Sequence, residues 1–174
     1  MTTEPDQKQK TIVITGASDG IGLEAASQLA AQGHHLVMVG RTPAKLSAAV
    51  KRIHAESPGT PVESFLCDNT SLADVRGLAH DLLAAYPRID VLVNNAGTVF
   101  DKRTVTGDGI EATFQVNHLA GFLLTELLLD RLVASAPARI VTTSSIGHFN
   151  GTMDFDDLGF ERGYQIMRAY GRSK

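Results

Sequence analysis

The sequence predicts an α/β fold, a doubly wound parallel sheet with helices on both faces. Three observations lead there. Short apolar, β-branched runs alternate with longer stretches of helical spacing along the chain. The strand candidates are almost continuously apolar, as strands covered on both faces are. A glycine-rich turn, Gly16 to Gly22, joins the first run to the first helical stretch.

The elements follow in order. Residues 1–10 are polar and read as a flexible tail. Thr11–Thr15 (TIVIT) is β-branched and stops at Gly16, which suggests a buried strand. Residues 21–31 carry small and apolar side chains at helical spacing, ended by Gly33. Leu36–Val39 is the second strand. Residues 43–56 form an amphipathic helix with Pro43 in its first turn. Val62–Leu66 is the third strand. Ser71 opens the next helix, with Asp74 in the place where a capping box carries Glu, and the helix stops before Pro87. Ile89–Val93 is the fourth strand. The longest helical pattern runs from about 108 to 133. Pro137 and Arg139 precede the fifth strand, Ile140 to Thr143. Residues 147–163 are rich in Gly and Asp and read as a loop, and a last helix starts near Gln165.

Composition narrows the function classes. The chain has 174 residues, 43% apolar and 20% charged, which suits one globular domain. Lys and Arg number 16 against 19 Asp and Glu, a net charge of −3. The basic residues are scattered, so no nucleic-acid partner is expected. The single cysteine, Cys67, cannot form an intramolecular disulfide. It ends an apolar run and reads as a small core residue rather than a nucleophile. The N-terminus has no apolar core of a secretory signal. The longest apolar stretch, Leu119 to Leu129, contains Thr125 and Glu126 and is too short for a membrane span. A cytoplasmic, reducing location is expected. The six histidines are scattered at spacings that fit no zinc site. Asp154, Asp156 and Asp157 read as a solvated loop.

The turn Thr15-Gly16-Ala17-Ser18-Asp19-Gly20-Ile21-Gly22 has a clear physical use. Absent side chains let backbone N–H groups approach a pyrophosphate, and the helix N-terminus adds partial positive charge. Gly16 would make the turn, Gly20 would permit close approach, and Gly22 would let the helix pack on the strand. At this spacing the sequence resembles the short-chain dehydrogenase/reductase family. Further signatures of that family follow in order: Asn94-Asn95-Ala96-Gly97, Asn117, Ser144-Ser145 and Tyr170-x-x-x-Lys174. The stretch Gly109 to Leu129 and the 25-residue step from Ser145 to Tyr170 resemble the retinol dehydrogenase-like branch.

The resemblance implies a Rossmann-like sheet of strand order 3-2-1-4-5, an NAD(P)-binding domain over residues 11–174, and an enzyme interconverting an alcohol and a carbonyl. It assigns Gly16, Ser18, Asp19, Gly20, Ile21 and Gly22 to the pyrophosphate loop. Asp68 and Asn69 go to the adenine side, although Asp and Asn are common in turns anyway. Asn95, Ala96 and Gly97 would border the adenosine ribose. The second strand ends Val39-Gly40-Arg41, with no carboxylate to bind a ribose 2′-OH and a guanidinium suited to a 2′-phosphate. NADP(H) is therefore expected over NAD(H), unless Arg41 is only a surface residue before a helix. Asp19 would lie near the same phosphate and oppose it.

Carbonyl reduction also needs a proton donor and a hold on the carbonyl oxygen. A phenol titrates near ~10, and a nearby ammonium stabilises its phenolate. Tyr170 and Lys174, at i and i+4, share one helix face. By resemblance Lys174 also holds the nicotinamide ribose, Ser145 bonds the substrate oxygen, and Asn117 holds a water linking Lys174 to solvent. Alternatively, Tyr170 and Lys174 are one amphipathic turn, Ser144 and Ser145 end a strand, and Asn117 is a satisfied polar group.

Family members continue past this lysine, so the resemblance implies that later strands and much of the substrate pocket are absent. The fifth strand is then expected as an open sheet edge, and little or no turnover is expected of the 174 residues alone. An apolar alcohol or carbonyl is the expected substrate, and a homodimer the expected full-length form. The alternative is a fragment or degenerate paralogue that binds nucleotide without turnover.

Overall fold

The computed structural model describes residues 9–174. The tail expected over residues 1–10 thus falls almost wholly outside the described residues. Of its last two residues, Gln9 donates a side-chain hydrogen bond to the Gly33 carbonyl and Lys10 accepts one from the His35 amide.

Among the described residues, five strands are present: β1 (Thr11–Thr15), β2 (His35–Gly40), β3 (Val62–Leu66), β4 (Val91–Asn94) and β5 (Arg139–Thr142). All pair in parallel, in the order β3-β2-β1-β4-β5. The helices are α1 (Gly20–Ala31), α2 (Pro43–Glu56), α3 (Leu72–Ala85), α4 (Ala112–Phe114), α5 (Ala120–Ala134) and α6 (Ile166–Ser173).

Strand alternation builds two cores. Ile12, Ile14, Leu36 and Met38 pack with Ala26, Ala30, Leu46 and Ile53 of α1 and α2. Val13, Val37, Val39 and Leu92 pack on the other face with Leu78, Leu82, Leu124 and Leu128 of α3 and α5. Each large side chain fully buried this way contributes roughly 1.5–3 kcal/mol.

Several boundaries differ from the sequence reading. β4 begins at Val91, not Ile89. The Ile89 amide is instead satisfied by the Ser135 hydroxyl at 3.1 Å. Asp90 accepts from the Thr11 amide and from Arg88 at 2.9 and 2.6 Å. The helical pattern assigned from about residue 108 begins only at Ala112, because Thr106 to Gly109 form a turn and Gly109 has a φ of +79°. Glu111 caps it, with its carboxylate accepting from the Thr113 and Phe114 amides. β3 is not continuously buried, since Glu63, Ser64 and Leu66 are exposed on an edge strand. At the other edge, all four residues of β5 are exposed. The capping box is altered too. Ser71 Oγ accepts from the Asp74 amide, but the Asp74 carboxylate reaches the Ser71 hydroxyl rather than its backbone. The loop after β5 contains one 3₁₀ turn, Ile146–Asn150.

Between α4 and α5 the chain makes one π turn, Gln115–Leu119. Such turns are rare and often mark functional sites; this one carries Asn117. Among the described residues, no helix is long and apolar enough to cross a membrane.

Candidate functional site

Parallel strands all end on one side, and the strand order reverses between β1 and β4. A crevice forms there by topology alone. The cleft found at that point is about 750 Å³.

The glycine turn forms its floor. Gly16 has a φ of +65°, and a Cβ on it would stand 2.8 Å from Ala96 Cα. At Gly22 a Cβ would strike the Gly16 carbonyl oxygen. Neither position tolerates a side chain, so helix α1 starts hard against the strand end. Around Gly20 there is open space, and its φ is +52°. The cradle and the N-terminus of α1 fit a pyrophosphate. Asp19 caps α1 through the Gly20 amide at 2.8 Å.

Every residue assigned to nucleotide binding lines this cleft: Gly16, Ser18, Asp19, Gly20, Ile21, Gly22, Arg41, Asp68, Asn69, Asn95, Ala96 and Gly97. Asp68 also shapes a turn, accepting from the Thr70 amide and hydroxyl at 3.0 and 2.8 Å.

Ser145, Tyr170 and Lys174 line the same cleft. They come from two elements packed backbone to backbone. A Cβ on Gly171 would lie 2.5 Å from the Gly147 carbonyl and 2.8 Å from the Gly151 amide. Glycine at 171 thus lets α6 bring Tyr170 against the turn that carries Ser145. A Cβ on Gly147 would lie 3.0 Å from the Tyr170 ring and 3.3 Å from Ser145 Oγ, so the two groups flank one point. Ser145 Oγ accepts from the Gly147 amide at 3.0 Å. Lys174 Nζ lies 6.0 Å from the Tyr170 ring centre and donates to the Thr143 carbonyl at 3.0 Å. Ser144 also lines the cleft, its hydroxyl donating to the Lys174 carbonyl.

Asn117 stands behind the cleft. Its side chain accepts from the Thr98 amide at 2.7 Å and donates to the Thr98 carbonyl and the Ser173 hydroxyl at 2.9 and 2.8 Å. It thereby brackets the strand-end segment to α6. A Cβ on Gly97 would sit 3.1 Å from Lys174 Nζ and 3.4 Å from Asn117 Oδ1, so Gly97 is what lets both approach.

Sequence reasoning missed three residues here. The Thr15 hydroxyl accepts from the Asn95 and Ala96 amides at 3.0 and 3.1 Å and donates to the Val93 carbonyl. Thr143 Oγ1 donates to Asn95 Oδ1, while Asn95 Nδ2 donates to the Thr15 carbonyl. Lys45, in the first turn of α2, pairs with Asp19 at 3.0 Å and lines the cleft. The signal for Thr15 was its place at a strand end before the glycines. That for Lys45 was its position four residues after Arg41. The acidic loop is tied locally: Asp157 accepts from the Glu161 and Arg162 amides, which hold its carboxyl below the usual range. Among the described residues, no cluster of His, Cys, Asp or Glu is arranged to hold a metal.

The family model described as short chain dehydrogenase matches residues 10–155. A Streptomyces sp. (strain C5) protein to which daunorubicin C-13 ketoreductase activity is ascribed is 46% identical over 166 residues, covering 95% of this chain and 56% of that one. Human retinol dehydrogenase 13 is 43% identical, with 95% of this chain and 50% of that one covered. The chain thus spans about half the length of the curated relatives it matches. Among solved structures, a short-chain dehydrogenase from Sphingobium yanoikuyae in complex with NADPH superposes with a TM-score of 0.75 at 34% identity, over 95% of this chain and 60% of that one. Sheet order and sequence point to one conclusion: the chain belongs to the short-chain dehydrogenase/reductase family of oxidoreductases and is retinol dehydrogenase-like within it.

Proposed function

We propose that residues 11–174 form the nucleotide-binding part of an NADP(H)-dependent oxidoreductase that interconverts an alcohol and a carbonyl on an apolar small molecule. The observation that carries this reading is that Ser145, Tyr170 and Lys174 open onto the same cleft as the glycine turn. A bound nicotinamide dinucleotide supplies or accepts the hydride. Ser145 holds the substrate oxygen by a hydrogen bond. The Tyr170 hydroxyl gives that oxygen a proton in reduction and takes it back in oxidation. Lys174, one residue past the end of α6, stabilises negative charge on the phenol and bonds the nicotinamide ribose. Asn117 keeps the Thr98 segment and α6 in register, and its Oδ1 retains a lone pair for a water that relays protons from Lys174.

NADP(H) preference is supported by Arg41 at the end of β2 and by the absence of a carboxylate at Gly40. The NADPH complex of the Sphingobium neighbour agrees with it. An apolar substrate is supported by Ile146, Phe149 and Phe155, which stand 82%, 78% and 79% exposed on the segment after Ser145. The retinol dehydrogenase and ketoreductase names of relatives agree with that class. A homodimer through α5 is supported by the exposed Phe122, Leu129 and Val133 on that helix. A cytoplasmic location belongs to the same reading.

The test is equilibrium binding of NADPH and NADH to the chain. NADPH is expected to bind about tenfold more tightly, and Arg41→Ala is expected to remove most of that margin. Tighter binding of NADH, or no loss in Arg41→Ala, overturns the cofactor assignment.

A further inference from the structure

Arg41 and Asp19 line the same cleft and carry opposite charges. A guanidinium there attracts a ribose 2′-phosphate, and a carboxylate repels it. Both residues line the cleft together with Ser18, Gly40, Thr42 and Lys45. The ring of contacts is tight on the Ser18 side, where a Cβ on Gly40 would lie 3.2 Å from Ser18 Oγ.

The Asp19 carboxylate has two partners. One oxygen caps α1 through the Gly20 amide, 2.8 Å away. The other accepts from Lys45 Nζ at 3.0 Å. The pair links the loop before α1 to the first turn of α2. Lys45 and the helix cap hold the Asp19 carboxyl below its usual range, which keeps it charged and paired at neutral pH. Both side chains stay well exposed, at 62% and 74%. Such a pair adds little stability. Its effect falls on the local field instead.

Resting on the NADP(H) reading above, we propose that Lys45 is a specificity-determining residue for the cofactor. It neutralises Asp19 at the mouth of the glycine turn, so that Arg41 meets the 2′-phosphate without an opposing charge. The loop keeps a carboxylate suited to capping α1, and the basic residue of α2 removes its cost to an anionic ligand. Cofactor choice therefore depends on three charges and not on Arg41 alone. The margin for the phosphate also shrinks with salt, as expected for charges in open water.

The test uses 2′,5′-ADP and 5′-AMP, which differ in the phosphate in question and carry no nicotinamide, so binding is read without turnover. Dissociation constants are measured for the wild type, Lys45→Met, Asp19→Asn and the double variant. Met keeps the apolar stem of Lys45, and Asn still caps a helix. The wild type is expected to favour 2′,5′-ADP. In Lys45→Met that ratio should fall about fivefold to tenfold, the scale of one partly screened charge. Asp19→Asn added to Lys45→Met should restore the ratio to within about twofold to threefold of wild type. An unchanged ratio in Lys45→Met overturns the role of Lys45. A double variant as poor as Lys45→Met also overturns it, because Lys45 then acts on the phosphate itself. A wild type that favours 5′-AMP overturns the underlying NADP(H) reading, an outcome distinct from the other two.

Discussion

His34 lies buried just before β2, and its Nδ1 has no hydrogen-bond partner among the described residues. Burial, aided by Lys10, lowers its pKa from the ordinary value near 6.5. The neutral form is therefore favoured in the folded state. Below pH 6.5 the unfolded chain takes up a proton that the folded chain resists. The stability is complete above that value and is lost as pH falls through it. Thermal unfolding between pH 8 and 5 should show this as a falling midpoint, with a shallower slope in His34→Gln. An equal slope in both would remove His34 as the cause. Cys67 follows the same logic with the opposite sign. Burial pushes its thiol up to about 12, so a thiol reagent should label the native protein at least tenfold more slowly than the denatured chain. Tyr170→Phe keeps the ring and removes the proton, so turnover of the full-length form should drop by about 10²–10⁴ with nucleotide binding unchanged. At this scale the motif residues were legible because each sits in a fixed local pattern. Thr15 and Lys45 were not, because their partners Asn95 and Asp19 meet them only once the sheet and helices have assembled.

Among the elements, α6 and the 3₁₀ turn after β5 depend on each other most closely. Gly147, Gly151 and Gly171 let two backbones touch. Gly171→Ala should cost about 1–3 kcal/mol, the usual penalty of overpacking. It should also move Tyr170 away from Ser145, so turnover of the full-length form falls by more than the folded fraction does. Calorimetry together with rate measurements separates the two effects. Arg172 reinforces this joint by donating to the Thr152 and Asp157 carbonyls and stacking 4.3 Å from the Phe160 ring centre. β1, α2 and β3 fall where hydrophobic pattern and turn residues placed them. The start of the long helix does not, since the turn Thr106–Gly109 delays it to Ala112. The hydrogen bonds from the Leu72 amide and Gln115 that occupy Asp108 come from elsewhere in the chain. Nor was the displaced start of β4 legible. Ile89 is as apolar as a strand residue, and only the distant Ser135 hydroxyl shows that it precedes the ladder.

For the molecule as a whole, the sheet order carries the most information. Alternating elements establish a parallel α/β sheet, but the order 3-2-1-4-5 came from the family resemblance and not from periodicity. The two edges differ in what they expose. On β5, Ile140 and Val141 stand 46% and 47% exposed beside a backbone edge that no strand among the described residues pairs with. Open edges of this kind invite pairing with other chains. Val141→Lys should therefore reduce concentration-dependent light scattering several-fold without changing nucleotide affinity. Unaltered scattering would exclude this edge as the contact.

The hydroxyl and amide bonds of Thr15, Asn95 and Thr143 clasp the ends of β1, β4 and β5 into one sill beneath both halves of the cleft. Anyone transplanting this cleft to another scaffold would have to carry all three together. Thr15 and Asn95 lie 80 positions apart, and Asn95 and Thr143 lie 48 apart. A contiguous graft of the glycine turn, or of the Tyr-Lys helix, would arrive without its sill. The smallest portable unit of this site is the sheet itself.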